Sequence, residues 1–205
     1  MLSFFTKRFN ALIQQPILRP VVGGVLLAAF FLATGLTQYA GLGIPVIQSA
    51  FTEVLPFYDF ILKSILTAFT LGAGFKGGEV TPLFYIGATA GNALAQIIPL
   101  PIALLAGMGF VGVFSGATNT PIACTLMGIE LFGAPPGIYL ALSCVCAYFF
   151  SGHSGIYGSQ MIGSPKHLHF MHYKGNDLKS IHPKQREQHN SKQPTTDPTK
   201  NSGNK

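Results

Sequence analysis

The residues best placed to do chemistry gather in one stretch, 72–92, which reads GAGFKGGEVTPLFYIGATAGN. A glycine run delivers a carboxylate, Glu79, and a hydroxyl, Thr81, to Pro82 and then to an apolar helical segment. Proline suits the first helical position, where its missing N–H would have had no partner in any case. The backbone N–H groups on either side of it stay free and lie at the positive end of the helix dipole. That is the geometry of an anion site. Glu79 and Thr81 can add a proton-bearing group and a hydrogen-bond donor to it.

Other spacings suggest chemistry and are weaker. Gly72-x-Gly74-x-x-Gly77 has dinucleotide-fingerprint spacing, but no acid stands near position 97 and the run before it is helical, so a nucleotide site lacks its frame. Gly152-His153-Ser154-Gly155 is similar to the GxSG motif of rhomboid intramembrane serine proteases. An activating histidine would have to come from a further spanning helix, and His167, His169, His172, His182 and His189 all follow the last apolar run. The cluster His167, His169 and His172 reads as a solvated basic face rather than a metal site. Glu130, in GIELFG, is expected to sit deep enough to need a partner, with a structural role. Cys124, Cys144 and Cys146 fall in apolar runs and read as small packing residues, not a disulfide framework.

The elements that must position these residues belong to a membrane protein. The chain is 48% hydrophobic and 10% charged, with a mean hydropathy of +0.41, where soluble domains average about 25% charged residues. Between Pro20 and Pro165 the Asp, Glu, Lys and Arg residues are Glu53, Asp59, Lys63, Lys76, Glu79 and Glu130. Apolar runs at 21–36, 44–55, 57–71, 82–98, 101–114, 120–132 and 137–150 are parted by Gly and Pro. The last four are shorter than the ~20 residues of a straight span. Broken backbone within a membrane is tolerated where protein or a water-lined cavity satisfies it, as at transporter ion sites. Asp59 and Lys63, at i and i+4, fit an interfacial helix end or a pair facing the protein interior. Gly87-x-x-x-Gly91 and Gly112-x-x-x-Gly116 allow close helix approach, read as packing within the chain.

The formal net charge of +6 comes largely from the end of the chain, where Lys166, Lys174, Lys179, Lys184, Arg186, Lys192, Lys200 and Lys205 face Asp177, Glu187 and Asp197. With Lys7, Arg8 and Arg19 before the first apolar run, basic residues at both ends place both termini in the cytoplasm. No basic folded face suggests nucleic acid. The expected division is a cytoplasmic segment 1–19, a transmembrane region 20–165 and a basic, disordered tail 166–205.

From about Pro16 to Lys166 the sequence resembles the second half of the CLC family of chloride channels and anion/proton antiporters. The family's GxFxP motif reads here Gly78-Glu79-Val80-Thr81-Pro82, with Val80 in place of the aromatic residue. Tyr157, in SGHSGIYGSQ, stands where the family places an anion-coordinating tyrosine. GFVGVFSGATNTPIACTLMGIELFG looks like the paired helices before that tyrosine. The GExTP form is similar to the fluoride-exporting branch, which exchanges fluoride for protons.

The resemblance implies an all-α polytopic fold and anion transport rather than enzymatic catalysis. It implies an anion site made by Gly78, Glu79, Val80 and Thr81 with Tyr157 facing them, and neither cofactor nor metal. The implied partners are a halide (fluoride, or alternatively chloride), protons, membrane lipid and a second copy in a homodimer. The implied location is a bacterial inner membrane. The family's first half, with its GREGP-like gating motif, is not among these residues. The resemblance therefore implies that a missing N-terminal half completes the pore, and that this polypeptide by itself does not transport.

Overall fold

The computed structural model describes residues 2–12, 15, 17–75, 77–152, 155–157 and 160. It forms two units, Met1–Ser151 and Gly152–Lys205. Among the described residues all regular structure is helical: α1 (Leu2–Leu12), α2 (Leu18–Thr34), α3 (Ile44–Ser49), α4 (Asp59–Gly72), α5 (Val80–Ala95), α6 (Ile102–Thr118), α7 (Pro121–Phe132) and α8 (Gly137–Phe150), with a 3-10 turn at Thr37–Tyr39. The longest, α2 and α6, have 17 residues each. No helix among the described residues is long and apolar enough to cross a membrane, in keeping with the short, punctuated runs of the sequence.

Punctuation sets the boundaries. Gly35 closes α2 in the left-handed region at φ 69°, and Asn119 closes α6 at φ 59°, a conformation that asparagine tolerates better than most side chains. Because that cap falls late, α6 runs four residues beyond the apolar run that ends at Phe114. Pro121 then opens α7 at its first position.

The centre of the first unit is the packing of α5 on α6, with α8 on the far side of α6 and α4 beside α5. Glycine makes the α5–α6 approach possible. A Cβ on Gly87 would strike the Gly109 carbonyl, and one on Gly91 the Leu105 carbonyl. Gly112 faces Ser143 and Gly116 faces Ala147, both on α8. Both GxxxG spacings thus serve packing inside the chain, as the sequence suggests. Aromatic rings lock the same region. Phe84 of α5 stacks on Phe110 of α6 at 4.1 Å between centroids, with planes 6° apart, and Phe132 meets Phe110 edge-on at 5.6 Å. Around them lie Ala50, Ala88, Val111, Cys124, Leu140 and Cys144, all buried.

The segment 1–19, read as a cytoplasmic lead, contains α1, which docks on α4. Phe5 and Phe9 pack their rings edge-on to Phe69 at 5.7 and 5.2 Å, and Gly72 leaves room for the α1 backbone.

Candidate functional site

The tip of α5 is where the glycine run ends. Gly74 takes φ 94°, which glycine adopts without strain. Gly77 and Gly78 are exposed, while Glu79, Val80 and Thr81 are half-buried. The helix starts at Val80, so Pro82 is its third residue, not its first as its ring chemistry suggests. The exchange costs nothing locally, since N–H groups throughout the first turn lack intrahelical partners. It also moves two donors, the Val80 and Thr81 N–H groups, onto the helix itself. Glu79 is the N-cap residue, at φ −85° and ψ −17°, and its carboxylate makes no capping hydrogen bond. Capping would satisfy the free N–H groups from within. Here they are left to the dipole end, with a carboxylate and a hydroxyl beside them.

Polar clamps fix α5 in its surroundings. The Asn92 amide, 1% exposed, donates to the Ala50 and Glu53 carbonyls at 2.8 and 2.6 Å and accepts from the Leu55 N–H at 2.9 Å. Gln96 donates to the Leu55 carbonyl at 2.9 Å. One side chain thus satisfies three backbone groups of the segment after α3, which would otherwise be costly to bury.

Beside the tip lies a cavity of about 230 Å³, whose walls include Tyr39, Lys63, Thr67, Gly77, Gly78 and Pro82. Behind it is a buried polar group. Lys63, 3% exposed, donates to the carbonyls of Tyr39 and Gly41 at 2.9 and 2.8 Å, and its ammonium lies 4.9 Å from the centre of the Tyr85 ring. The Tyr39 hydroxyl donates to Asp59, 2% exposed. Asp59 and Lys63 therefore face the protein interior, the second of the two placements open to them, but they form no direct ion pair. Each is held instead by hydrogen bonds to Tyr39 and its neighbours. The sequence singles out the two charges. It does not show that Tyr39, some twenty residues away, joins them, because that contact depends on the turn at Thr37–Tyr39. Tyr85 is fully buried, and its hydroxyl has no hydrogen-bond partner.

Of the five residues expected at the anion site, Gly78, Glu79, Val80 and Thr81 are consecutive at the α5 tip. Tyr157 belongs to the second unit, where it is half exposed and its carbonyl accepts from the Gln160 N–H at 3.1 Å. Its partnership with the tip comes from the resemblance. Glu130 is exposed on the surface of this chain, because the inward face of α7 is carried by Cys124 and Gly128. Gly72 ends a helix rather than a strand, so the GxGxxG spacing lacks the frame of a dinucleotide site. His153, Ser154 and the histidines at 167, 169 and 172 lie outside the described residues, as does Lys76.

Comparison with known proteins agrees with this architecture. The family described as "Voltage gated chloride channel" matches residues 1–152, and the chain belongs to that family. It is 48% identical over 172 residues to the chloride/fluoride channel protein of Pseudomonas syringae pv. tomato, covering 81% of this chain and 37% of that one. It is 29% identical over 178 residues to the voltage-gated ClC-type chloride channel ClcB of Salmonella typhimurium, covering 77% and 42%. The crystal structure of a CLC-type fluoride/proton antiporter superposes with a TM-score of 0.72 at 37% identity, over 76% of this chain and 40% of that one. The chain thus spans about two fifths of the length of these relatives. The all-helical fold is that of CLC proteins, whose members are integral membrane transporters.

Proposed function

We propose that this chain carries one half of the ion pathway of a fluoride/proton exchanger of CLC type. The observation that carries the reading is the uncapped α5 tip. Glu79 precedes two free backbone donors, Thr81 adds a hydroxyl, and the sequence is GEVTP where most of the family has an aromatic-containing GxFxP. Fluoride is small and strongly hydrated, so its dehydration must be offset by short, charge-assisted hydrogen bonds. The Val80 and Thr81 N–H groups and the Thr81 hydroxyl supply such donors, and the family resemblance assigns the Tyr157 phenol as a further one. A proton carried on Glu79 couples proton flux to anion flux. Similarity to relatives named as a chloride/fluoride channel and a fluoride/proton antiporter supports the choice of ion. In this reading the protein works in a bacterial inner membrane with both ends cytoplasmic, as a homodimer in lipid. The other half of the pore completes the path.

The test is fluoride efflux from proteoliposomes, read with a fluoride electrode. This polypeptide alone is expected to give no proton-coupled efflux. Supplied with the other half it is expected to give it, and to lose it on Glu79→Gln. Wild-type efflux from the Glu79→Gln and Thr81→Ala variants alike would reject the site.

A further inference from the structure

We infer that the cavity beside the α5 tip is a second halide station, with the Lys63 ammonium as its binding group. The inference rests on the anion-transport reading above and adds a site outside the tip itself. Lys63 is almost wholly buried, and a buried cation needs compensation. Two of its three N–H groups go to the Tyr39 and Gly41 carbonyls. Those bonds fix the head group but bring only partial negative charge. The acid one turn away, Asp59, is held by the Tyr39 hydroxyl and forms no ion pair with Lys63. With the Tyr85 ring 4.9 Å from the ammonium as its remaining neighbour, the charge on this cavity-lining residue has no anionic partner.

The rest of the cavity suits a small anion. Among the described residues no Asp or Glu lines it. Thr67, one turn along α4 from Lys63, adds a hydroxyl to the same wall. Leu27, Phe31, Leu66 and Phe75 supply apolar walls, which weaken screening and so strengthen the pull of the ammonium. The volume of about 230 Å³ exceeds that of a bare halide. At roughly 30 Å³ of liquid volume per water, it admits an ion with part of its hydration shell. Gly77, Gly78 and Pro82 form part of the same lining, so an ion leaving the helix tip enters this space directly. The Lys63 station thus holds a partly hydrated ion next to the tip that strips it.

Isothermal calorimetry of the full chain in detergent, titrated with sodium fluoride against sodium gluconate at constant pH and ionic strength, tests the assignment. Lys63→Gln is expected to weaken fluoride binding about tenfold or more, and Lys63→Arg to stay within about threefold of wild type. Thr67→Glu gives Lys63 a built-in anion and is expected to abolish binding at this station without lowering the melting temperature in gluconate. It therefore reports even if Lys63→Gln fails to fold. Unchanged affinity in Lys63→Gln or in Thr67→Glu overturns the station. Loss of binding in Thr81→Ala with none in the cavity variants also overturns it, and leaves the tip reading standing. Loss in the cavity variants with none in Thr81→Ala supports the station and counts against the tip. A wild-type chain that binds no fluoride overturns the station, while the tip reading is judged by the efflux test above.

Discussion

The two long sides of α5 are built on opposite principles. Toward α6 it is dry and steric: glycines at 87, 91 and 109 bring backbone against backbone, and the Phe84 and Phe110 rings stack. Toward α4 and the turn at Thr37–Tyr39 it faces buried charge, hydroxyls and a cavity. The first side contributes stability through contact and has no group that could bind an ion. The second places a lysine and an aspartate where burial is costly, and hydrogen bonds through Tyr39 offset that cost only in part. It is on this second side that the proposed ion sites lie.

The sharpest way to break this contrast is on the steric side. Gly91→Leu drives a side chain into the Leu105 carbonyl and is expected to cost about 3 kcal/mol or more, leaving little monodisperse protein on size exclusion in detergent. The clamp that holds α5 from its far end comes next. Asn92→Ala strands two carbonyls and one N–H, for about 2–3 kcal/mol, seen as a melting temperature several degrees lower. On the functional face stability should barely move while ion handling does. Thr81→Ala removes one donor at the tip and is expected to slow fluoride efflux roughly tenfold in proteoliposomes that contain the other half, with the melting temperature within about 1 °C of wild type. The smallest effect is expected from Thr70→Val. Thr70 lines the cavity, but its hydroxyl is already spent on the Leu66 carbonyl at 2.8 Å. Fluoride affinity within about twofold of wild type would separate the donors that matter from the wall that merely contains them.

Much of this was legible in the sequence because it is local. Gly35, Asn119, Pro121 and Gly133 stop or start helices by their own backbone preferences, and the α8 boundaries coincide with the apolar run 137–150. The GEVTP tip was legible for the same reason. Other features depend on tertiary contact. Pro82 alone would open a helix, yet the helix starts two residues earlier because Glu79 and Val80 already hold near-helical backbone. The apolar run around Glu130 does not show which face of α7 turns inward; the small residues Cys124 and Gly128 do, and the acid lies on the surface of this chain. The Tyr39 link between Asp59 and Lys63 spans some twenty residues and no periodicity marks it.

The stacked pair Phe84–Phe110 also bears on how the α5 tip is held. Phe84 lies one helical turn beyond Val80 and Thr81, so the ring contact indexes the azimuth of the tip. Stepping α5 round by a single residue, about 100°, would unstack the rings and push a side chain into the glycine seam. The packing therefore holds α5 at a single azimuth. In the exchanger proposed above, any moving part is then lighter than this helix, and the Glu79 side chain at its N-cap is the candidate.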